Sequence, residues 1–176
     1  MPSHVTSQVP GGNPTTSWSL VMSASVRIFD ILIVTTTHKG TGTPTISDTT
    51  VSALTWTVIA HIDDGTRSFT AWWARDDLGE AAGATVQVSG LTNCGAGTFS
   101  VYRGAEEETS PIANVSAESN ASGNEAHAGF TPSRDNSTII LCNGNGTNDL
   151  DVATQACTDP GTLTERAEKL STGGTD

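Results

Sequence analysis

The chain has 176 residues, a formal net charge of −11 and 15% charged side chains. A chain of this length suits one domain that buries about 70% of its unfolded surface, enough for a core without disulfide or metal support. Nucleic-acid backbones and anionic membranes are poor partners, because binding them needs clustered Lys and Arg, and the eight basic residues are scattered. Abundant Thr, Ser, Gly and Ala with short apolar runs favour an all-β protein with many turns.

The first residues give no sign of a targeting signal. Residues 1–8 lack a basic segment followed by an apolar run, and no stretch approaches the length of about 18 apolar residues that spans a membrane. We therefore expect synthesis and folding in a cytoplasm, where the thiols of Cys94, Cys142 and Cys157 stay reduced. A bridge between Cys142 and Cys157, formed after release from the cell, is the alternative.

Residues 1–16 contain three prolines and two glycines among serines and threonines. This composition predicts an extended N-terminal arm without regular structure, disordered in a monomer or laid on a neighbour in an assembly. The remaining residues, 17–176, are predicted to form a single domain. Its predicted fold is an antiparallel β-sandwich of the jelly-roll or immunoglobulin-like kind.

Several stretches of the chain have the alternation, or the β-branched and aromatic content, of strands. They are residues 17–24, 28–37, 55–62, 67–75, 84–89, 97–104 and 137–143. Residues 38–53 are predicted to be a loop with at most one short strand. Within the strands, the pattern predicts core positions for Trp18, Phe29, Ile31, Ile33, Trp56, Val58, Phe69, Phe99, Val101 and Ile140.

The densest strand signal is the segment RSFTAWWAR at residues 67–75, which follows the turn sequence DDGT at residues 63–66. It is predicted to be the second strand of a hairpin whose first strand is residues 55–62. Neighbouring side chains in a strand point to opposite faces. Trp72 and Trp73 therefore predict either a sheet that is covered on both faces or a tryptophan that reaches a partner subunit.

No motif of a known catalytic class occurs in the sequence. Gly-x-Ser-x-Gly, His-Glu-x-x-His, P-loop and Cys-x-x-Cys patterns are missing, and the four histidines lie in unrelated contexts. Asp63/Asp64 and Asp76/Asp77 flank the aromatic hairpin as the carboxylates of a sugar-cleaving site would, but Asp-Asp-Gly is ordinary turn chemistry. Residues 144–152 match a single calcium-binding nonapeptide, which predicts a turn because such repeats need stacked neighbours. We expect no enzyme activity, cofactor or metal.

A weak internal repeat links two parts of the chain. Residues 30–35 correspond to residues 137–142, and residues 56–61 to residues 163–168, both at an offset of 107 residues. The shared offset suggests two similar β-units, the second without a counterpart of the aromatic strand. An open sheet edge at that place predicts self-association, most simply into a closed ring.

The order of these segments resembles β-sandwich proteins encoded by the structural genes of tailed bacteriophages. The resemblance covers residues 17–176 and is carried by DILIV at 30–34, LTWTVIA at 54–60, FTAWWAR at 69–75, ATVQV at 84–88 and VYRGA at 101–105 followed by Ser110-Pro111-Ile112. It implies a structural virion protein, most simply a capsid decoration or cement protein. The implied partner is the major capsid protein or another virion protein, and the implied oligomer is a trimer.

The alternative is a module of a head fibre or tail fibre that recognises a glycan of the host-cell surface. Exposed Trp72 or Tyr102 would serve this function, because aromatic faces stack on sugar rings. Together with Arg103 of the VYRGA segment, these two residues are the candidate interface. Both functions place the protein in a virion, with neither nucleic acid nor a membrane as partner.

Overall fold

The computed structural model describes residues 2–11, 16–92 and 95–105, together with Pro111, Ile112, Val115, Thr138, Ile140 and Cys142. These residues form eight strands and no helix. The strands are β1 (Ser3–Gln8), β2 (Ser17–Val21), β3 (Ile31–Lys39), β4 (Thr45–Asp48), β5 (Thr57–Asp63), β6 (Arg67–Arg75), β7 (Thr85–Ser89) and β8 (Gly95–Arg103). Most of the strand predicted over 137–143, the calcium-like segment 144–152 and the second repeat unit lie outside the described residues.

The strands form two antiparallel sheets. The large sheet has five strands in the order β1-β8-β3-β6-β5, and the small sheet has three in the order β2-β7-β4. The two sheets pack face to face around a shared core, as β-sandwich proteins do. The prediction of an all-β, antiparallel fold is therefore confirmed, and the loop over 38–53 contains one short strand, β4.

The main core lies between the two sheets. Side chains from β3, β6 and β8 of the large sheet meet side chains from β2 and β7 of the small one, and they include Trp18, Leu20, Leu32, Val34, Trp72, Val86, Val88, Phe99 and Val101. The predicted core residues Trp18, Phe99 and Val101 are all buried here. Gly97 of β8 lets the Trp18 indole approach the backbone, because an added Cβ would lie 2.6 Å from two of the ring carbons.

The outer face of the large sheet carries a second apolar group, which we call the outer cluster. Ile31, Ile33 and Tyr102 are buried in it, and Ile59, Trp73 and Ala105 pack against them. Ile31 and Ile33 are thus buried, but on the face opposite to the main core. Phe69 lies on this outer face as well, because it is four residues before Trp73 in β6 and every second side chain of a strand shares a face. It is partly buried.

Three predicted core positions are wrong. Phe29 is 40% exposed because β3 begins at Ile31 and Phe29 lies in the preceding turn, where its φ is 69°. Val58 is 50% exposed. It lies on β5, which pairs with β6 alone among the described strands and whose register shifts between Val58 and Ala60. Ile140 is 36% exposed and belongs to no described strand.

The prediction of an arm over residues 1–16 is wrong for β1. Ser3–Gln8 pairs with β8 at the edge of the large sheet, with an irregularity between His4 and Thr6. Val5 packs against the main core. Only one of the six residues in SHVTSQ is apolar, so the sequence carries almost no strand signal, and the pairing with β8 and the packing of Val5 decide the structure instead.

Hydrogen bonds of the Gln8 side chain connect the end of β1 to the small sheet. Its Nε2 donates to the Val21 carbonyl at 3.1 Å, and its Oε1 accepts the Ser23 N–H at 2.9 Å. Residues 3–8 are therefore joined to both sheets and belong to the domain.

Candidate functional site

Strand β6 places its two neighbouring tryptophans on opposite faces of the large sheet. Trp72 is 3% exposed in the main core, so its prediction as an interface residue is wrong. Trp73 packs partly buried against the outer cluster and lines a groove that opens on the outer face. The alternation of side chains predicts that the two tryptophans lie on opposite faces, but it does not show which face the small sheet covers. The choice of Trp72 was wrong for this reason.

The groove has a volume of about 350 Å³ and lies where β5 begins and β6 ends. We call it the Trp73 groove. Trp73 and Arg75 come from β6, Thr57 comes from β5, and the remaining lining comes from residues 52–55 and 76–78 and from Glu80. Its size is at the small end of the range for ligand pockets, and its lining of one aromatic ring with several polar groups is more polar than that of most such pockets.

Hydrogen bonds to Asp48 hold the loop that contributes residues 52–55. The Asp48 carboxylate accepts the Leu54 N–H at 3.2 Å and the Trp56 indole N–H at 2.8 Å. Trp56, a predicted core residue, lies just before β5 and is partly buried against the main core. The loop is thus held by hydrogen bonds to Asp48 and by the packing of Trp56 against the main core.

A second carboxylate holds the loop that follows β6. Asp76 is 1% exposed, and its two oxygens accept the N–H groups of Glu80 and Ala81 at 3.0 and 3.1 Å. Glu80 in turn accepts the Ser52 N–H at 2.8 Å through Oε2 and so joins the two loops. These bonds fix the walls of the groove without any ligand.

The charge of the Trp73 groove is mixed with an acidic excess. Asp76, Asp77 and Glu80 oppose one cation, Arg75. The Arg75 Nε donates to Asp77 Oδ1 at 2.5 Å, and the Asp77 side chain is 54% exposed. None of the described residues donates a hydrogen bond to Asp77 Oδ2 or Glu80 Oε1, and an ionised carboxylate oxygen accepts hydrogen bonds from hydroxyl groups.

The other two candidate interface residues are engaged within the chain. Tyr102 is 8% exposed, and its ring meets that of His4 edge to face with the centroids 5.6 Å apart. Arg103 holds the fully buried Asp30 in a two-point ion pair, with Nε–Oδ1 and Nη2–Oδ2 distances of 2.8 and 2.7 Å. Their proposed role at an interface is therefore not supported, because Tyr102 is covered by β1 and Arg103 ties β8 to the turn before β3.

A buried serine–histidine pair has the composition of a catalytic dyad but not its chemistry. His38 Nε2 lies 2.7 Å from Ser68 Oγ and 3.0 Å from the Gly42 carbonyl, while His38 Nδ1 accepts the Thr92 N–H at 3.2 Å. A carbonyl only accepts, so Nε2 carries the ring hydrogen. With its other nitrogen already accepting a backbone N–H, neutral His38 has no lone pair with which to activate Ser68.

The carboxylates that flank the aromatic hairpin do not converge. Asp63 and Asp64 lie at the turn that leads into β6, and Asp76 and Asp77 follow its other end. A strand rises about 3.4 Å per residue, so β6 separates the two pairs by about 27 Å. That distance is far beyond the separation of two carboxylates that cleave a glycosidic bond, about 5–10 Å.

Cys142 has a free thiol. Burial raises the pKa of this thiol to about 11, so it carries little of the reactive thiolate at neutral pH. The described residues contain no group of three or more His, Cys, Asp or Glu side chains that could hold a metal ion. We therefore take the Trp73 groove as the candidate site in the described part of the chain.

Comparison with protein-family models, with curated proteins and with solved structures found no match to the chain. In the part of the chain that the structure describes, no helix is long and apolar enough to cross a membrane.

Proposed function

We propose that the protein is a structural component of a tailed-bacteriophage particle: a capsid decoration or cement protein that binds the head surface as an oligomer. The supporting observation is the pairing of its strands. β1 pairs with β8, β2 with β7 and β3 with β6, so that the first described strand meets the last described one and the other pairs nest inside them. Such nesting supports a jelly roll over an immunoglobulin-like order, and jelly rolls recur in viral capsid proteins and lectins.

The resemblance to phage structural proteins supports the same proposal. The segments that carry it coincide with β3, β5, β6, β7 and β8, and therefore belong to one folded unit. The acidic net charge of −11 favours a partner with a neutral or basic surface. The proposed partner is the major capsid protein or another virion protein.

The test is binding of the purified protein to phage heads that lack it. We expect it to occupy a regular lattice visible by electron cryomicroscopy, with hundreds of copies per head, and to raise the temperature at which the heads rupture. Light scattering over a range of concentrations would measure the oligomer, for which we propose a trimer. Heads that bind no protein, or a count of tens of copies in the mature virion, would contradict a decoration role.

A fibre module that binds a host-surface glycan is the second candidate, and the Trp73 groove favours it. The residues predicted for this role were Trp72 and Tyr102, but both are buried. Trp73 takes their place, because it is the tryptophan of β6 that lines an open groove beside polar side chains. Inhibition of phage adsorption by the purified protein would support this candidate, and adsorption unchanged at saturating protein would count against it.

A further inference from the structure

We infer that the Trp73 groove binds one or two neutral hexopyranose units, with Trp73 as the surface on which a sugar ring stacks and with Asp77 and Glu80 as acceptors for its hydroxyl groups. The inference rests on the second candidate function and names its site and its class of ligand. Three properties of the groove support it: the position of the tryptophan, two carboxylate oxygens to which no described residue donates, and the acidic charge of the lining.

The tryptophan is held before any ligand arrives. Trp73 is paired with Ile33 of β3 on one side and with Thr57 of β5 on the other, and it packs on the outer cluster. A side chain fixed in this way loses little conformational entropy on binding. An indole face is apolar and electron-rich, and it suits the face of a pyranose ring whose C–H groups point the same way.

The polar groups around Trp73 suit a ligand with many hydroxyls. Asp77 and Glu80 each keep a carboxylate oxygen that no described residue occupies, and Thr55 and Thr57 line the same groove. The loops that carry them are held by Asp48 and Asp76, so the acceptors are in place without reorganisation. Hydrogen bonds from hydroxyl groups to carboxylates are among the stronger ones that a neutral ligand forms.

The charges disfavour anionic small ligands. Three carboxylates in the lining repel phosphates, uronic acids and sialic acids, and Arg75, the one cation of the lining, pairs with Asp77. A neutral ligand avoids this repulsion. A volume of about 350 Å³ limits the ligand to one or two rings of a longer chain.

The test is a titration of the full chain, labelled with ¹⁵N, with methyl glycosides of glucose, galactose, mannose and N-acetylglucosamine and with the corresponding disaccharides. Each of the four tryptophans carries one indole N–H group, so we expect four indole signals. We expect at least one neutral glycoside to shift the Trp73 signal at millimolar concentration. The signal of Trp18, whose indole N–H donates to Thr36 Oγ1 inside the main core, serves as the internal control. Methyl glucuronide should bind more weakly than methyl glucoside.

Two matched pairs of variants locate the site by calorimetry. Trp73→Leu and Phe69→Leu each remove an aromatic ring from the outer face of β6, but only Trp73 lines the groove. Asp77→Asn and Asp63→Asn each remove one exposed carboxylate, but Asp63 lies at the far turn. We expect Trp73→Leu and Asp77→Asn to weaken binding by about tenfold each, equivalent to about 1.4 kcal/mol, and their partners to change it by less than twofold.

The outcomes separate the site from the function. A glycan that binds the wild type and all four variants equally would overturn the site and leave the glycan-binding candidate standing. No shift of Trp73 with any neutral glycoside would overturn the site, and unimpaired adsorption in the competition assay would remove the candidate as well. Tighter binding of the glucuronide would overturn the charge argument. If Trp73→Leu fails to fold, the Asp77 and Asp63 pair decides, since both side chains are exposed.

Discussion

Trp72 and Trp73 are neighbours in β6, yet Trp72 is buried in the main core and Trp73 lines an open groove. The inner face of the large sheet meets the small sheet, and its side chains interlock with Trp18, Val86 and Val88. On the outer face, three apolar side chains of the described residues are buried in the outer cluster, and Trp73 at its margin is partly exposed. The same strands thus provide stability on one face and a candidate binding surface on the other.

The largest expected effect separates the two tryptophans directly. Trp72→Ala should lower the free energy of unfolding by about 3–5 kcal/mol, because it leaves a cavity between two sheets that cannot close over it. Trp73→Ala should cost about 1–2 kcal/mol, since solvent already reaches the indole and no closed cavity remains. Urea unfolding followed by circular dichroism measures both. Equal losses would mean that the outer face is packed as closely as the inner one.

Deleting residues 2–11 tests the strand that touches both faces. β1 contributes Val5 to the main core and places His4 against Tyr102 on the outer face. We expect the deletion to lower stability by about 2–4 kcal/mol, from the lost valine burial and the lost pairing with β8. The variants Val5→Ala and His4→Ala divide the loss between the inner and the outer contact. An unchanged melting temperature would restore the view of these residues as an arm.

The sequence predicted the elements whose signal is local. The segment 67–75 matches β6 residue for residue, and Trp18, Phe99 and Val101 lie in the core as their alternation predicts. β1 was missed because its six residues include one apolar side chain, and the strand exists through contacts with distant residues. Val58 pairs with Trp72 and so lies on the predicted face, but β5 is the end strand in the order of the large sheet, and alternation does not reveal that Val58 is 50% exposed there.

The candidate site was harder to predict than the fold. Its side chains come from β5, β6 and two loops, and what brings them together is a set of backbone hydrogen bonds to Asp48, Asp76 and Glu80. None of these bonds has a sequence motif beyond the general preference of aspartate for turns. The two tryptophans in RSFTAWWAR were the available signal, but choosing between them required the position of the small sheet.

Gly97→Ala probes how closely the inner face is packed. An added Cβ would lie 2.6 Å from Trp18 ring carbons and 2.8 Å from the Thr35 carbonyl oxygen. Since both are held in place, the substitution should cost about 1–3 kcal/mol, as overpacking of a well-filled core does. Gly42→Ala is the matched control, because nothing lies within 4 Å of a Cβ at that position. A neutral Gly97→Ala would show that the inner face has room to adjust.

The smallest expected effect comes from the turn between β5 and β6, which belongs to neither face of the sheet. A substitution there shows how much the free energy of unfolding changes when no packing is lost. Asp64 Oδ1 accepts the N–H groups of Thr66 and Arg67 at 2.8 and 2.7 Å. These backbone hydrogen bonds hold the pKa of the Asp64 carboxyl below its ordinary range. Asp64→Asn keeps an acceptor oxygen but removes the charge, so we expect a loss below about 1 kcal/mol at this exposed site.

The pH dependence identifies the charge as the cause of that loss. Because the carboxyl has a lower pKa in the folded chain than in the unfolded chain, where it is about 3.9, its stabilising contribution is complete above that value. The contribution disappears as the pH falls through the folded-state pKa. The difference between wild type and Asp64→Asn in urea unfolding should therefore be present at neutral pH and shrink in strong acid. A difference that stays constant with pH would assign the loss to the geometry of the turn rather than to its charge.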